Sequence, residues 1–343
     1  MSQQQTILDQ LFEGKSVSRE QAKHLFTSIV NGEMHEATMA GMLVAMKMRG
    51  ETIEEISGAA DALRQAAKPF PTPSTDTQSR GIVDIVGTGG DGHNTINIST
   101  TAAFVAAASG AKVAKHGNRS VSSKSGSSDL LAQFGIDLTM SPETARDCLD
   151  DIGLCFLFAP HYHGGVRHAV PVRQALKTRT LFNVLGPLIN PAHPEYMVLG
   201  VYHADLVTPI AEVLQALNVK RAMVVHGSGL DEVAVHGETL VCELKDNQLN
   251  HYQLTPEQLG VETAQLGDLT GGTPEENAQF TRDILQGNGQ SAHQNAVAVN
   301  AGCALYVSGV CDTPAAGTQL ALQTLASGKA YNQLQQLANA SQQ

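Results

Sequence analysis

A glycine-dense hexad, Gly87-Thr88-Gly89-Gly90-Asp91-Gly92, follows an apolar run and leads into a helical pattern beginning near Ser99. Lacking Cβ atoms, such a loop can turn successive N–H groups onto an anion, and the N-terminus of the following helix adds partial positive charge. A tight turn at the end of a strand also asks for glycine, so the hexad alone leaves both readings open. Asn97-Ile98-Ser99-Thr100 brings an amide and two hydroxyls to the start of that helix, placed either to cap backbone donors or to ligate a phosphate-bound metal. Further on, Lys115-His116-Gly117-Asn118-Arg119-Ser120-Val121-Ser122-Ser123-Lys124-Ser125-Gly126-Ser127 packs three cations and five serines into thirteen residues. In a chain of formal net charge -11, that concentration reads as a second loop for capturing an anion.

Asp231-Glu232, after His226-Gly227-Ser228-Gly229-Leu230, sets two hard carboxylates at another expected strand end. An isolated acidic pair is ordinary solvated surface. At the same sheet edge as two anion loops, it suits Mg²⁺ that keeps waters and substrate phosphates in its shell. Arg167, Arg173 and Arg179 are spaced along one helical segment, where a guanidinium either clamps a carboxylate in bidentate fashion or makes a surface ion pair. His161 and His163 flank Tyr162 without a third ligand at metal spacing, so no zinc site is read there. No Gly-x-Ser-x-Gly elbow occurs and the cysteines lack activating neighbours, which argues against covalent catalysis.

The elements that must hold these residues are legible as two textures. From about Gln5 to Ala67 the chain reads as amphipathic helices, with capping boxes at Ser18/Gln21 and Thr52/Glu55. Met39, Met42, Leu43, Met46 and Met48 mark one of these helices as packing or subunit surface. Pro69, Pro71 and Pro73 and the polar stretch after them read as a connector. Beyond it, Ile82-Val86, Lys112-Lys115, Leu154-Ala159, Met197-Val201 and Ala222-Val225 are short apolar runs separated by helical pattern. That alternation predicts a mostly parallel sheet flanked by helices. Val241-Leu244 and Asn250-Leu254, joined across Asp246-Asn247, predict an antiparallel excursion, and the stretch from Pro274 to about Ala338 is helical. The fold expected is α/β: a small all-helical lobe, residues 1–72 joined by roughly 165–190, and a large α/β lobe of residues 73–164 and 191–343.

The acidic balance disfavours nucleic acid and anionic membranes as partners. No apolar run approaches the ~18 residues of a membrane span, and the start lacks a secretory pattern. An odd number of cysteines, five, with no Cys-x-x-Cys pair, points to a reducing, cytoplasmic setting.

Six blocks in order along the chain resemble the anthranilate phosphoribosyltransferase family: Gly87 to Asp91, Asn97 to Thr100, Lys115 to Ser120, Val172-Arg173, Arg179-Thr180-Leu181-Phe182-Asn183 with Leu185-Gly186-Pro187-Leu188, and Gly229 to Glu232. The resemblance implies transfer of phosphoribose from 5-phosphoribosyl 1-diphosphate to anthranilate by a homodimer formed through the helical lobe. It assigns the diphosphate and its sugar to Gly87, Gly90, Asp91, Thr95, Asn97, Ile98, Ser99, Thr100, Lys115, Asn118, Arg119, Ser120, Ser122, Ser123 and Ser127. Two Mg²⁺ ions fall to Ser99, Asp231 and Glu232, and anthranilate to Gly87, His116, Asn118 and Arg173. Where the family often carries a His-Pro-Ala-Met-type run, this chain has Tyr162-His163-Gly164-Gly165-Val166-Arg167, a departure that implies an acceptor entrance shaped or flexed differently. No glutaminase-like segment precedes Met1, so a free-standing transferase is expected. Two other readings stand beside it: a pyrimidine nucleoside phosphorylase, and a non-catalytic nucleic-acid-binding relative of the same fold.

Overall fold

Four helices open the chain in the computed structural model, which describes residues 3–119 and 124–343: α1 (Gln3–Phe12), α2 (Arg19–Val30), α3 (Glu36–Arg49) and α4 (Ile53–Gln65). Both expected capping boxes form, Ser18 with Gln21 and Thr52 with Glu55. Glu55 is fully buried, and its carboxylate also accepts from the Val17 N–H, tying the start of α4 to the loop before α2. The methionines of α3 divide between two roles: Met39, Met42 and Met46 are in the core, while Met48 stands 79% exposed. After the prolines, the stretch expected to be a connector contains a short helix, Thr75–Arg80. Ser74 caps it and is itself anchored to Asp150, which supplies the order that composition alone does not reveal.

The sheet has seven strands in the order β3-β2-β1-β4-β5-β6-β7. They are β1 (Ile82–Gly87), β2 (Lys112–Gly117), β3 (Leu154–Phe158), β4 (Tyr196–Gly200), β5 (Arg221–Gly227), β6 (Thr239–Lys245) and β7 (Gln248–Leu254). The first five are mutually parallel, and β6 and β7 complete the sheet antiparallel. The β6–β7 turn needs only Asp246 and Asn247, at φ 52° and 58°, the left-handed pair that a two-residue hairpin demands.

Alternation along the strands feeds two cores. Val198, Met223, Val225 and Val241 face the layer holding the Ile98–Ala108 and Ser291–Val307 helices. Met197, Leu199, Ala222, Val224 and Cys242 face the Val207–Ala216 helix and the core of the helical lobe. The 164–189 segment is mostly short helical turns and packs back on α2, α3 and α4.

The direction of strand succession reverses at β1, which has β2 on one side and β4 on the other. In an open parallel sheet, the crevice beyond the carboxyl ends at such a switch point is where ligands bind. The glycine hexad is the continuation of β1 at that place.

Candidate active site

Three strand-end loops meet at the switch point. Gly87, the last residue of β1, and Gly200, the last residue of β4, are paired in register, and Asp231 from the loop after β5 lies across both. A Cβ on Gly200 would come 1.6 Å from the Asp231 carbonyl oxygen, and one on Gly87 would come 2.2 Å from its Oδ2. Only glycine at both positions admits the acidic loop. In return, Asp231 Oδ2 accepts the Gly89 N–H at 2.6 Å and fixes the turn of the hexad.

Glu232 accepts the Ser99 N–H at 3.2 Å, so it faces the N-terminus of the Ile98–Ala108 helix. Lys115, 3% exposed, donates to the Ile85 carbonyl at 2.6 Å and to Ser99 Oγ at 3.4 Å. Burial pushes both the Asp231 and Glu232 carboxyls above the usual carboxylate range, with neighbouring carboxyl groups adding to it. Burial pulls the Lys115 ammonium down, opposed by Asp84, Glu232 and Asp231. Carboxylate oxygens of this kind could serve as ligands to a hard divalent cation. Among the described residues no three His, Cys, Asp or Glu side chains converge as a ready-made metal cage.

The remaining expected residues take varied positions. Asn97 stands at the N-cap position but makes no capping bond with its side chain, contrary to one reading of its type. Its amide is committed elsewhere, donating to the Ser125 carbonyl at 3.1 Å and accepting from Asn277 at 2.8 Å. Ile98 and Thr100 are buried, Thr100 at 2% exposure, so the packing of the helix start takes their side chains. Thr95 bridges to Thr270, and the Asp91 carboxylate accepts the His93 N–H at 3.0 Å. Asn118 and Arg119 are exposed beyond β2, and Ser127 Oγ donates to the Asn118 carbonyl at 3.0 Å. Ser120, Ser122 and Ser123 lie outside the described residues.

On the helical-lobe side, Arg173 is half-buried with its guanidinium over the Phe182 ring, 5.4 Å from the centroid. Burial alone lowers its pKa; no carboxylate of the described residues offsets it. His116 is buried with Nδ1 3.1 Å from the Gly186 carbonyl and Nε2 unpartnered, and burial with the nearby His163 pulls its pKa to about 3. Arg167 stays on its own turn, donating to Gly164.

Several contributors escaped sequence reasoning. Asp84, wholly buried in the middle of β1, accepts from Asn190 Nδ2 at 2.8 Å and from the His116 N–H at 3.4 Å, and burial pushes its pKa to about 6. A charged residue inside the Ile82-Val86 run was its visible signal. Gly200 and Asn277 carry no local mark of this kind.

Sequence profiles described as "Glycosyl transferase family, helical bundle domain" and "Glycosyl transferase family, a/b domain" match residues 5–67 and 79–331. The chain is 76% identical over 342 residues to an anthranilate phosphoribosyltransferase of Shewanella loihica, covering 100% of this chain and 98% of that one. The fold superposes on the anthranilate phosphoribosyltransferase of Thermus thermophilus with a TM-score of 0.93 at 42% identity, covering 98% of this chain and 99% of that one. The Saccharomyces cerevisiae enzyme, solved in complex with phosphoribosyl diphosphate and Mg, matches with a TM-score of 0.90 at 28% identity over 99% of this chain and 98% of its own.

Proposed function

The chain belongs to the anthranilate phosphoribosyltransferase family, and from that premise we propose how its cleft performs the transfer. The reaction moves the 5-phosphoribosyl group of 5-phosphoribosyl 1-diphosphate to the amine of anthranilate. Its products are N-(5-phosphoribosyl)anthranilate and pyrophosphate, the second step of tryptophan biosynthesis from anthranilate. The observation that carries the site assignment is the meeting of the Gly87–Asp91 loop, Lys115 and the Asp231–Glu232 pair at the switch point.

Breaking the C1–O bond leaves an oxocarbenium-like sugar and a departing pyrophosphate, so the site must stabilise charge more than supply a nucleophile. The backbone of Gly87, Gly90 and Asp91, with Thr95, Asn97, Ser99, Lys115 and the serine loop, would hold the diphosphate and the sugar phosphate. Ile98 and Thr100 serve by fixing the helix start. Asp231, Glu232 and Ser99 fit two Mg²⁺ ions, whose charge would offset that of the leaving group. An aromatic amine is neutral near pH 7, so the acceptor needs orientation rather than deprotonation before attack. Arg173, an uncompensated cation beside an aromatic ring, would clamp the anthranilate carboxylate, with His116 and Asn118 along the acceptor path.

The lobes would act as the proposed units, residues 1–72 with 165–190 and the remainder, in a homodimer. All five cysteines are unpaired, which suits the cytoplasm. With Mg²⁺ and the donor, the purified protein should consume anthranilate, read as loss of its fluorescence. Arg173→Ala should raise the anthranilate KM about tenfold or more while leaving the donor KM near its original value. Phosphorolysis of thymidine or uridine without anthranilate use would point to the nucleoside phosphorylase reading instead.

A further inference from the structure

The glycine hexad is pinned on two sides. On one, the Gly89 N–H is held by Asp231. On the other, the Gly90 carbonyl accepts from Nη2 of Arg179, whose guanidinium lies over the Tyr202 ring at 4.0 Å from the centroid. Tyr202 is fixed to the base of the same loop, its N–H donating to Thr88 Oγ1 at 3.1 Å while the Thr88 N–H donates to the Gly200 carbonyl at 2.9 Å. Gly89 and Gly90 both have positive φ, 69° and 80°, in a stretch that has many alternative conformations to lose. Across a trans peptide the C=O and the next N–H point in opposite directions. Holding the Gly90 carbonyl on Arg179 therefore aims the Asp91 N–H away from Arg179.

Arg179 does not belong to the loop's own neighbourhood in sequence. It sits between the Val170–Leu176 and Phe182–Leu185 helices, in the segment that packs on the helical lobe. The preceding residue, Thr178, is hydrogen-bonded through its hydroxyl to Lys47 Nζ on α3. A continuous set of contacts thus runs from α3 through residues 178–179 to the loop proposed to hold the diphosphate.

We infer that Arg179 is a positioning residue for the donor: it holds the glycine hexad in one conformation and makes that conformation depend on where the helical lobe sits. The inference rests on the reading of Gly87–Gly92 as the diphosphate cradle. Arg179 acts through the Gly90 carbonyl, and Tyr202 acts through Arg179.

The test is a double-mutant cycle with Arg179→Ala, Tyr202→Leu and the double variant, each assayed for both KM values and by calorimetric titration with the Mg²⁺-loaded phosphoribosyl diphosphate. Arg179→Ala is expected to weaken donor KM and donor affinity about tenfold with less than about a twofold change in anthranilate KM. Tyr202→Leu should move the donor values the same way by a smaller factor. The double variant should be no worse than Arg179→Ala, because both remove one support. Arg179→Lys, which keeps a donor for the carbonyl, should recover part of the loss. Additive effects, or a silent Tyr202→Leu beside an impaired Arg179→Ala, would make Arg179 a direct charge contact and overturn the inference. Equal rises in both KM values, or no rise, would overturn it too. Donor titration is independent of acceptor turnover, so a wild-type protein that binds donor without consuming anthranilate would defeat the functional reading and leave the pin still measurable.

Discussion

The imidazoles of His116 and His163 meet edge to face, with centroids 5.2 Å apart and planes at 72°, and both are buried. Burial holds both rings neutral, pulling His116 to about 3 and His163 to about 4. An unfolded histidine titrates near 6.5, so below that pH the unfolded chain binds protons that the folded chain refuses. The contribution of these two rings is therefore full above about pH 6.5 and declines as pH falls towards 4, whereas the raised carboxyls of Asp84, Asp231 and Glu232 act in the opposite sense. Each ring contributes a loss of roughly 2 kcal/mol between pH 6.5 and 5. His163→Gln, which cannot titrate, should remove about half of that decline. Urea denaturation of both proteins at pH 7 and pH 5 checks it, and parallel losses in the two would show that the acid sensitivity arises elsewhere.

At the scale of elements, the site depends on two strands ending in residues without side chains. Gly200 and Gly87 leave the space that Asp231 fills, and the closest approach, 1.6 Å for an added Cβ, is to backbone that cannot step aside. Gly200→Ala should therefore cost about 3 kcal/mol of stability and displace Asp231 from the Gly89 N–H. Chemical denaturation gives the first quantity and Mg²⁺-dependent donor binding the second; an alanine variant with unchanged stability would mean the acidic loop is free to move. The same contacts show what was legible beforehand. The parallel strands were readable because burial on both faces makes each a mostly apolar run, interrupted by Asp84 in β1 and by Lys112, Lys115 and His116 in β2, and the loops because glycine, serine and cations gather at their ends. The acidic pair was readable as a type but not as a position: Asp231 reaches Gly89 across 142 residues of sequence, and no local spacing encodes that. Asp84 was legible only as a charge where none was expected. Arg179 was visible as a cation, but its partner is the backbone oxygen of Gly90, 89 residues away, and a carbonyl leaves no trace in residue type.

For the whole molecule, the helical lobe carries apolar surface that its own fold does not use. Met48 is 79% exposed and Val44, one turn earlier on α3, 37%; Phe12 at the end of α1 is 53% exposed with its ring edge against Gly41 of α3. Residues four apart share a helix face, so Val44 and Met48 form one strip and Phe12 extends it onto the neighbouring helix. Val170, 40% exposed, stands on the segment that packs against α3 and leads to Arg179. Exposed apolar residues gathered on this side of the helical lobe are where the proposed homodimer would form. Burying a large apolar side chain gains about 1.5–3 kcal/mol, so replacing two of them with carboxylates should weaken self-association by at least about a hundredfold. Sedimentation equilibrium of the wild-type chain should give twice its 36.2 kDa mass, and Phe12→Glu with Met48→Glu should give the single mass at micromolar concentration. Because α3 also supports Thr178 beside Arg179, the monomeric variant should bind the donor more weakly than the dimer. A monomer with unaltered donor affinity would confine the dimer contact to assembly and separate it from the cleft.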